Sequence, residues 1–143
     1  MNTNEKVYSE PHGVKLAFAD DFNSFVTIHG KFYGIFKKNC NWYSIPETPG
    51  TLKPSVIQDS ASKTPLYAVS HKFRVSFASI ENRNELNIFR GCRLIMQYTT
   101  AGGQQRIAGS KMYPLFIMIN EPEGFDGYEI TVSGTQTDPE CFI

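Results

Sequence analysis

The stretch at 66–79, LYAVSHKFRVSFAS, alternates apolar and polar residues along its length, and a chain that contains it is committed to building a sheet. Successive side chains of an extended strand point to opposite faces. Tyr67, Val69, His71, Phe73, Val75 and Phe77 therefore share one face, and Ser70, Lys72, Arg74 and Ser76 share the other. A sheet that is apolar on one side needs a second layer over it. His71 falls on the apolar face, where a semi-buried histidine with a satisfied nitrogen is the expected role rather than a catalytic one.

The same pattern recurs elsewhere. Residues 14–37 read as strand, turn, strand, turn, strand. His29-Gly30, between FVTI and KFYGIF, has the form of a two-residue hairpin turn with glycine where φ must be positive. In 92–100, CRLIMQYTT, Leu94, Met96 and Tyr98 alternate with Arg93 and Gln97. Gly102-Gly103 then turns the chain, and QQRIAGSKMYPLFIMIN is expected to run back, with Gly109 as a bulge or kink. After the turn EPEGFDG (121–127), YEITVSGTQ (128–136) is a final strand with Tyr128, Ile130 and Val132 facing one way. One segment breaks the pattern. NRNELNIFRG (82–91) predicts a short helix capped by Asn82, with Glu85 completing a capping box, Gly91 past its end, and Leu86 and Phe89 on its buried side.

About seven short strands at this spacing predict a mainly β fold, an antiparallel β-sandwich or barrel with one short helix at about 82–90. An α+β roll is the alternative. An aromatic content of 13% supports the β reading, because aromatic side chains favour strands. At 143 residues the chain fits a single domain, 1–143. Residues 1–13 are expected to form an N-terminal arm. Residues 38–65 hold four of the eight prolines and show no periodicity, which predicts a long Pro-rich loop. Trp42 and Tyr43 at its start have two readings: anchors for a partner, or pins that hold the loop to the core.

The glycine-rich GGQQRIAGSK (102–111) superficially resembles a phosphate-binding loop. Five residues separate Gly103 from Gly109, the order is Ser-Lys rather than Lys-Ser, and an apolar strand-like run follows where a helix is required. Nucleotide chemistry is therefore not expected. Glu121, Glu123 and Asp126 lack calcium-loop spacing and are read as a solvated turn. His29 is read as a turn residue. There is no G-x-S-x-G elbow and no C-x-x-C, and Cys40, Cys92 and Cys141 are three well-separated thiols that suit a reducing compartment. These observations predict a non-enzymatic protein with no catalytic residue, cofactor or metal site and no small-molecule substrate. MNTNEKVYSEPHG has no apolar signal core, and the longest apolar run, MYPLFIMI (112–119), is too short to span a bilayer. A soluble protein made in the cytosol, without membrane contact, is the expectation.

Fourteen basic and fourteen acidic residues give no net charge, which argues against nucleic acid as a partner. The charges are nevertheless unevenly placed. Residues 63–111 hold eight basic groups against two acidic, a net of +6, and residues 112–143 hold six acidic groups and no basic one. Either these segments neutralise each other across neighbouring strands, or they give the molecule two oppositely charged sides suited to head-to-tail assembly.

The C-terminal half, RIAGSKMYPLFIMI followed by an acidic turn and GYEITVSGTQTDPE, resembles the ending of small neck or tail structural proteins of tailed phages and prophages of Bacteroidetes. The resemblance covers residues 66–143 and rests on a strand, a glycine turn, a Tyr-Pro-Leu strand and a final Gly-Tyr strand. It implies a β-rich ring or tube subunit of the virion, present in the host cytoplasm during assembly, whose partners are itself and other virion structural proteins. It transfers no functional residues. From the sequence, partner contacts are expected at Trp42, Tyr43, Lys72, Arg74 and Phe142, the last in the apolar tail Cys141-Phe142-Ile143. The alternative is a monomeric β-sandwich module that binds carbohydrate or peptide on a platform of Trp42, Tyr43 and Tyr33.

Overall fold

A computed structural model describes residues 10–59 and 65–143. Among these residues the fold is mainly β and sandwich-like, with eleven strands in two sheets and one short α-helix. In chain order the strands are β1 (His12–Phe18), β2 (Phe22–Ile28), β3 (Lys31–Phe36), β4 (Tyr43–Ser44), β5 (Val56–Asp59) and β6 (Leu66–Ser76). Helix α1 (Ile80–Asn87) follows, and then β7 (Leu94–Thr99), β8 (Gln105–Ala108), β9 (Phe116–Asn120), β10 (Gly127–Gln136) and β11 (Cys141–Phe142). Sheet A has the order β2-β3-β11-β8-β7-β1-β4, and sheet B the order β5-β6-β10-β9. Every pairing is antiparallel except that of β11 with β3.

The alternation in β6 determines the core. Val69, His71, Phe73 and Val75 are buried, and beside them lie Tyr128, Ile130 and Val132 of β10. Across the sandwich they meet Val14, Leu16, Leu94, Met96, Tyr98 and Ala108 of sheet A. A second cluster occupies the other face of sheet A. Ala17, Ile95 and Ile107 pack there against Phe22, with Phe25, Phe32, Phe36 and Trp42 around them. Sheet A therefore curls, bringing the β2–β3 hairpin over its own back face.

Several expectations need correction. The strands number eleven rather than about seven, because the connecting segments also pair. The helix starts two residues before Asn82. Ser79 is its cap, accepting a hydrogen bond from the Asn82 backbone N–H at 3.1 Å. The Asn82 side chain instead donates to the carbonyls of Ser76 and Phe77, tying the helix to the end of β6. Leu86 and Phe89 are buried as expected. Phe77 leaves the apolar face. Its φ of 68° ends the strand, and its N–H donates to the Asp126 carbonyl.

The run through MYPLFIMI is not one strand. β8 belongs to sheet A and β9 to sheet B, and the chain crosses between them over 109–115. Gly109 allows this crossing at φ +85°, where a Cβ would lie 2.9 Å from Leu115 Cγ and 3.2 Å from the Leu94 carbonyl oxygen. Within 38–65, β4, β5 and a bridge from Lys53 to Lys72 fasten the Pro-rich segment, and Ile45 and Leu52 enter the main core. Residues 60–64 of that segment lie outside the described residues. So do residues 1–9 of the expected arm, whose His12 and Gly13 already belong to β1. The hairpin turn is as read: His29 at φ 51° and Gly30 at φ 75° supply the two positive values a type I′ turn needs.

Candidate functional site

Two features dominate the β2–β3 end of the molecule: an apolar outer face and the C-terminal segment that holds it in place. The hairpin register sets Ser24 opposite Ile35, Val26 opposite Tyr33 and Ile28 opposite Lys31. Phe25, Phe32 and Phe36 point inward to the second cluster. The opposite face is left to solvent, with exposures of 45% for Val26, 51% for Ile28, 50% for Tyr33 and 64% for Ile35. Among the described residues β2 is also the terminal strand of sheet A, so one row of its backbone N–H and C=O groups has no strand beside it there.

Among the described residues, the hairpin joins the rest of sheet A by strand pairing only through β11. Phe142 pairs with Lys31 on one side and with Arg106 on the other, and Cys141 pairs with Ile107. This two-residue strand is held by the residue before it. The Glu140 carboxylate is buried between the sheets, where Tyr98 Oη donates to its Oε1 at 2.6 Å and His71 Nε2 donates to its Oε2 at 2.8 Å. The Ser55 N–H donates to His71 Nδ1 at 3.1 Å, so that nitrogen bears no proton and Nε2 is the donor. His71 stands on sheet B and Tyr98 on sheet A. Glu140 thus fastens both layers and seats the tail at once. Burial, reinforced by the hydrogen bond to Glu140, raises the Tyr98 phenol far above its ordinary range, with the Arg106 charge opposing. Burial and the nearby Asp138 and Glu140 carboxylates also hold the Cys141 thiol above its usual value.

The sequence-predicted contact residues do not form one site. Trp42 turns inward, its ring edge-on to Phe22 and Phe36 at 5.8 and 5.7 Å, so it pins the loop. Tyr43 packs on Phe18 and Phe89 and is half exposed. With Tyr33 on the hairpin's outer face, these three aromatics form no common platform. Arg74 lies on the outer face of sheet B, 3.5 Å from Glu129 and stacked over the Phe125 ring. Lys72 shares that face and stands directly across from Lys53, a like-charge pairing that costs a little stability. Phe142 is partly exposed beneath the Arg106 guanidinium, which lies 4.1 Å from its ring centre.

The two charged segments meet within the fold. β6 and β10, from the positive and negative segments, are sheet neighbours, with Arg74 beside Glu129; His71, which carries none of the counted charge, is joined to Glu140. Asp126 also has a local task, accepting from the Ala78 N–H. Among the described residues, no group of three His, Cys, Asp or Glu side chains is placed to hold a metal ion, and no helix is long and apolar enough to cross a membrane.

Sequence reasoning missed Glu140, which entered only as one of the six acidic groups of residues 112–143, and it missed the hairpin's outer face. The signals were present. Glu140 is the single charge next to the apolar end Cys141-Phe142-Ile143, and FNSFVTI at 22–28 carries no charge and no proline. Compared with protein-family models, curated proteins and solved structures, the chain matches none of them.

Proposed function

We propose that the chain is a non-enzymatic structural subunit that works by joining copies of itself, and that it does so in the neck or tail of a tailed phage. The observation that carries the self-assembly reading is the apolar face of the β2–β3 hairpin at the open edge of sheet A. Edge strands of soluble proteins are commonly blunted by lysine, proline, shortness or a covering segment. β2 is seven residues long and has neither a charge nor a proline. A contiguous apolar surface of this kind marks an interaction site. The phage assignment rests on the resemblance of residues 66–143, and it places the protein in the virion, with the host cytoplasm as the place of assembly and other virion proteins as neighbours.

Its non-enzymatic character is supported by the closure of the His71–Glu140–Tyr98 cluster. These groups have the types used in acid–base chemistry, yet they are buried and satisfied by one another. Light scattering on the purified chain over a range of concentrations tests the reading. A mass several times that of one chain is expected, reduced but not abolished by high salt, because the contact is centred on apolar side chains. A single-chain mass at every concentration and salt level contradicts it.

A second reading, a peptide-binding module, has one specific observation behind it. A cleft of about 380 Å³ between β4 and α1 is lined by Tyr43, Ile45, Leu86, Ile88 and Phe89. Saturable binding of an extended apolar peptide to a single-chain species would favour that reading over self-assembly.

A further inference from the structure

The outer face of sheet B holds a like-charge pair that the fold does not neutralise. The Lys53 N–H donates to the Lys72 carbonyl at 2.7 Å, and the Lys72 N–H returns a bond to the Lys53 carbonyl at 3.2 Å. Residues that exchange both bonds stand directly opposite each other in a ladder, so their side chains leave the sheet on the same face. Both lysines are exposed. Among the described residues, neither ammonium forms an ion pair with a carboxylate. Like charges set opposite each other are destabilising, and a neutral residue avoids that cost, as Thr131 does on the other side of Lys72.

Arg74 adds a third cation two residues along β6, on the same face. Its guanidinium lies over the Phe125 ring, 4.7 Å from the centre, and 3.5 Å from Glu129. These contacts hold the group in place and leave N–H donors over. Lys53, Lys72 and Arg74 line one cleft of about 400 Å³, together with Gly50, Thr51 and Glu129. The carboxylates around it are engaged elsewhere or stand to one side. Glu129 is paired with Arg74. Glu10 lies against Gly50, its Oε2 2.9 Å from the place a Cβ would occupy. Asp126, next to Phe125, accepts from the Ala78 N–H, and Glu121 lines a separate cleft with Arg83 and Arg90. Three cations therefore meet two carboxylates, and the uncompensated charge is at the two lysines.

We propose that this cleft binds a phosphate dianion, as the free ion or as a phosphate monoester, through Lys53, Lys72 and Arg74. Each lysine supplies a compact charge with rotatable donors, and the arginine supplies a planar fork, a combination that suits a tetrahedral oxyanion better than a flat carboxylate. A dianion held by both lysines replaces their mutual repulsion with attraction to a shared charge. Such a site is independent of the self-assembly reading, because the hairpin face belongs to sheet A and the cleft to sheet B.

The test titrates the full chain with inorganic phosphate, and separately with phenyl phosphate, at about pH 7.5, where both are largely dianionic. Sodium chloride keeps the ionic strength constant. The backbone amide NMR signals of Thr51–Lys53 and Lys72–Arg74 are expected to shift saturably, in the millimolar range. Tighter binding of phenyl phosphate identifies a monoester as the preferred ligand, and equal or weaker binding identifies the free ion. Lys53→Thr and Lys72→Thr should each weaken binding by at least about fivefold, the effect of losing one charge-assisted contact. In chloride alone both variants should melt at or above the native temperature, since the like-charge pairing is gone. A merely structural pair of lysines would not give these two opposite responses. Shifts that do not saturate, or that spread over every lysine-bearing face, overturn the site. So does undiminished binding in both variants, or a melting temperature that both replacements lower in chloride. If a threonine variant fails to fold, Lys53→Gln and Lys72→Gln, which keep most of the stem and remove the charge, repeat the comparison.

Discussion

Glu140→Ala will destabilise the protein by about 3 kcal/mol, the cost of leaving two buried polar groups unsatisfied. The groups are the Tyr98 hydroxyl, 2.6 Å from one carboxylate oxygen, and the His71 Nε2–H, 2.8 Å from the other. Both residues are buried. Glu140→Gln retains one acceptor oxygen and should lose roughly half as much. Urea or thermal melts measure both values. A double-mutant cycle then isolates the pair. With Glu140 gone, Tyr98→Phe removes an orphaned hydroxyl, so the double variant should be less destabilised than the sum of the singles by about 1–2 kcal/mol. Additivity would mean that the hydrogen bond contributes nothing beyond packing. The consequence reaches the hairpin, because Glu140 precedes the strand that joins β3 to β8. Hydrogen exchange in β3 should accelerate in Glu140→Ala even under conditions where the β6–β10 ladder stays protected.

Phe22→Ala should cost more, about 4 kcal/mol, and should unseat the same hairpin from the other side. Large-to-small replacements of a buried phenylalanine fall near 3–5 kcal/mol because the vacated space is only partly refilled. Phe22 is fully buried at the centre of an aromatic group. Its ring stacks on Phe36 at 4.3 Å and meets Phe25, Phe32 and Trp42 edge-on between 5.3 and 5.9 Å. Phe22→Leu should recover more than half of the loss. A cost below about 1.5 kcal/mol for Phe22→Ala would mean that the hairpin is not held by this cluster.

How much of this the sequence revealed depended on how far apart the interacting residues lie. Local patterns read correctly. Period-two alternation identified β6 and β10, His29-Gly30 identified the hairpin turn, and the helix was misplaced only because Ser79, rather than Asn82, accepts its first N–H. Long-range choices were not legible. Nothing near Pro114 says that the strand before it belongs to one sheet and the strand after it to the other, since that depends on Leu94 bridging to Leu115. Trp42 could equally have anchored a partner or pinned its loop, and its packing on Phe22, twenty residues earlier, was not visible in the sequence. Glu140 meets its partners 69 and 42 residues away, so nothing near it in the sequence marks it as buried. The apolar hairpin face was visible as an uncharged strand, but its exposure followed only once the phenylalanines had claimed the inward side.

The central claim is that the edge and outer face of the β2–β3 hairpin are covered by another copy of the chain. Hydrogen exchange of the native protein, read at the backbone amides of Ser24–Ile28 from dilute to concentrated solution, tests it most directly. β2 is a terminal strand, so those of its amides that face away from β3 have no strand partner among the described residues. The account predicts that these amides exchange quickly in dilute solution and become protected by at least about tenfold as concentration rises, while the β6–β10 amides do not change. Equal exchange at all concentrations, or protection that appears elsewhere while β2 stays open, would contradict it.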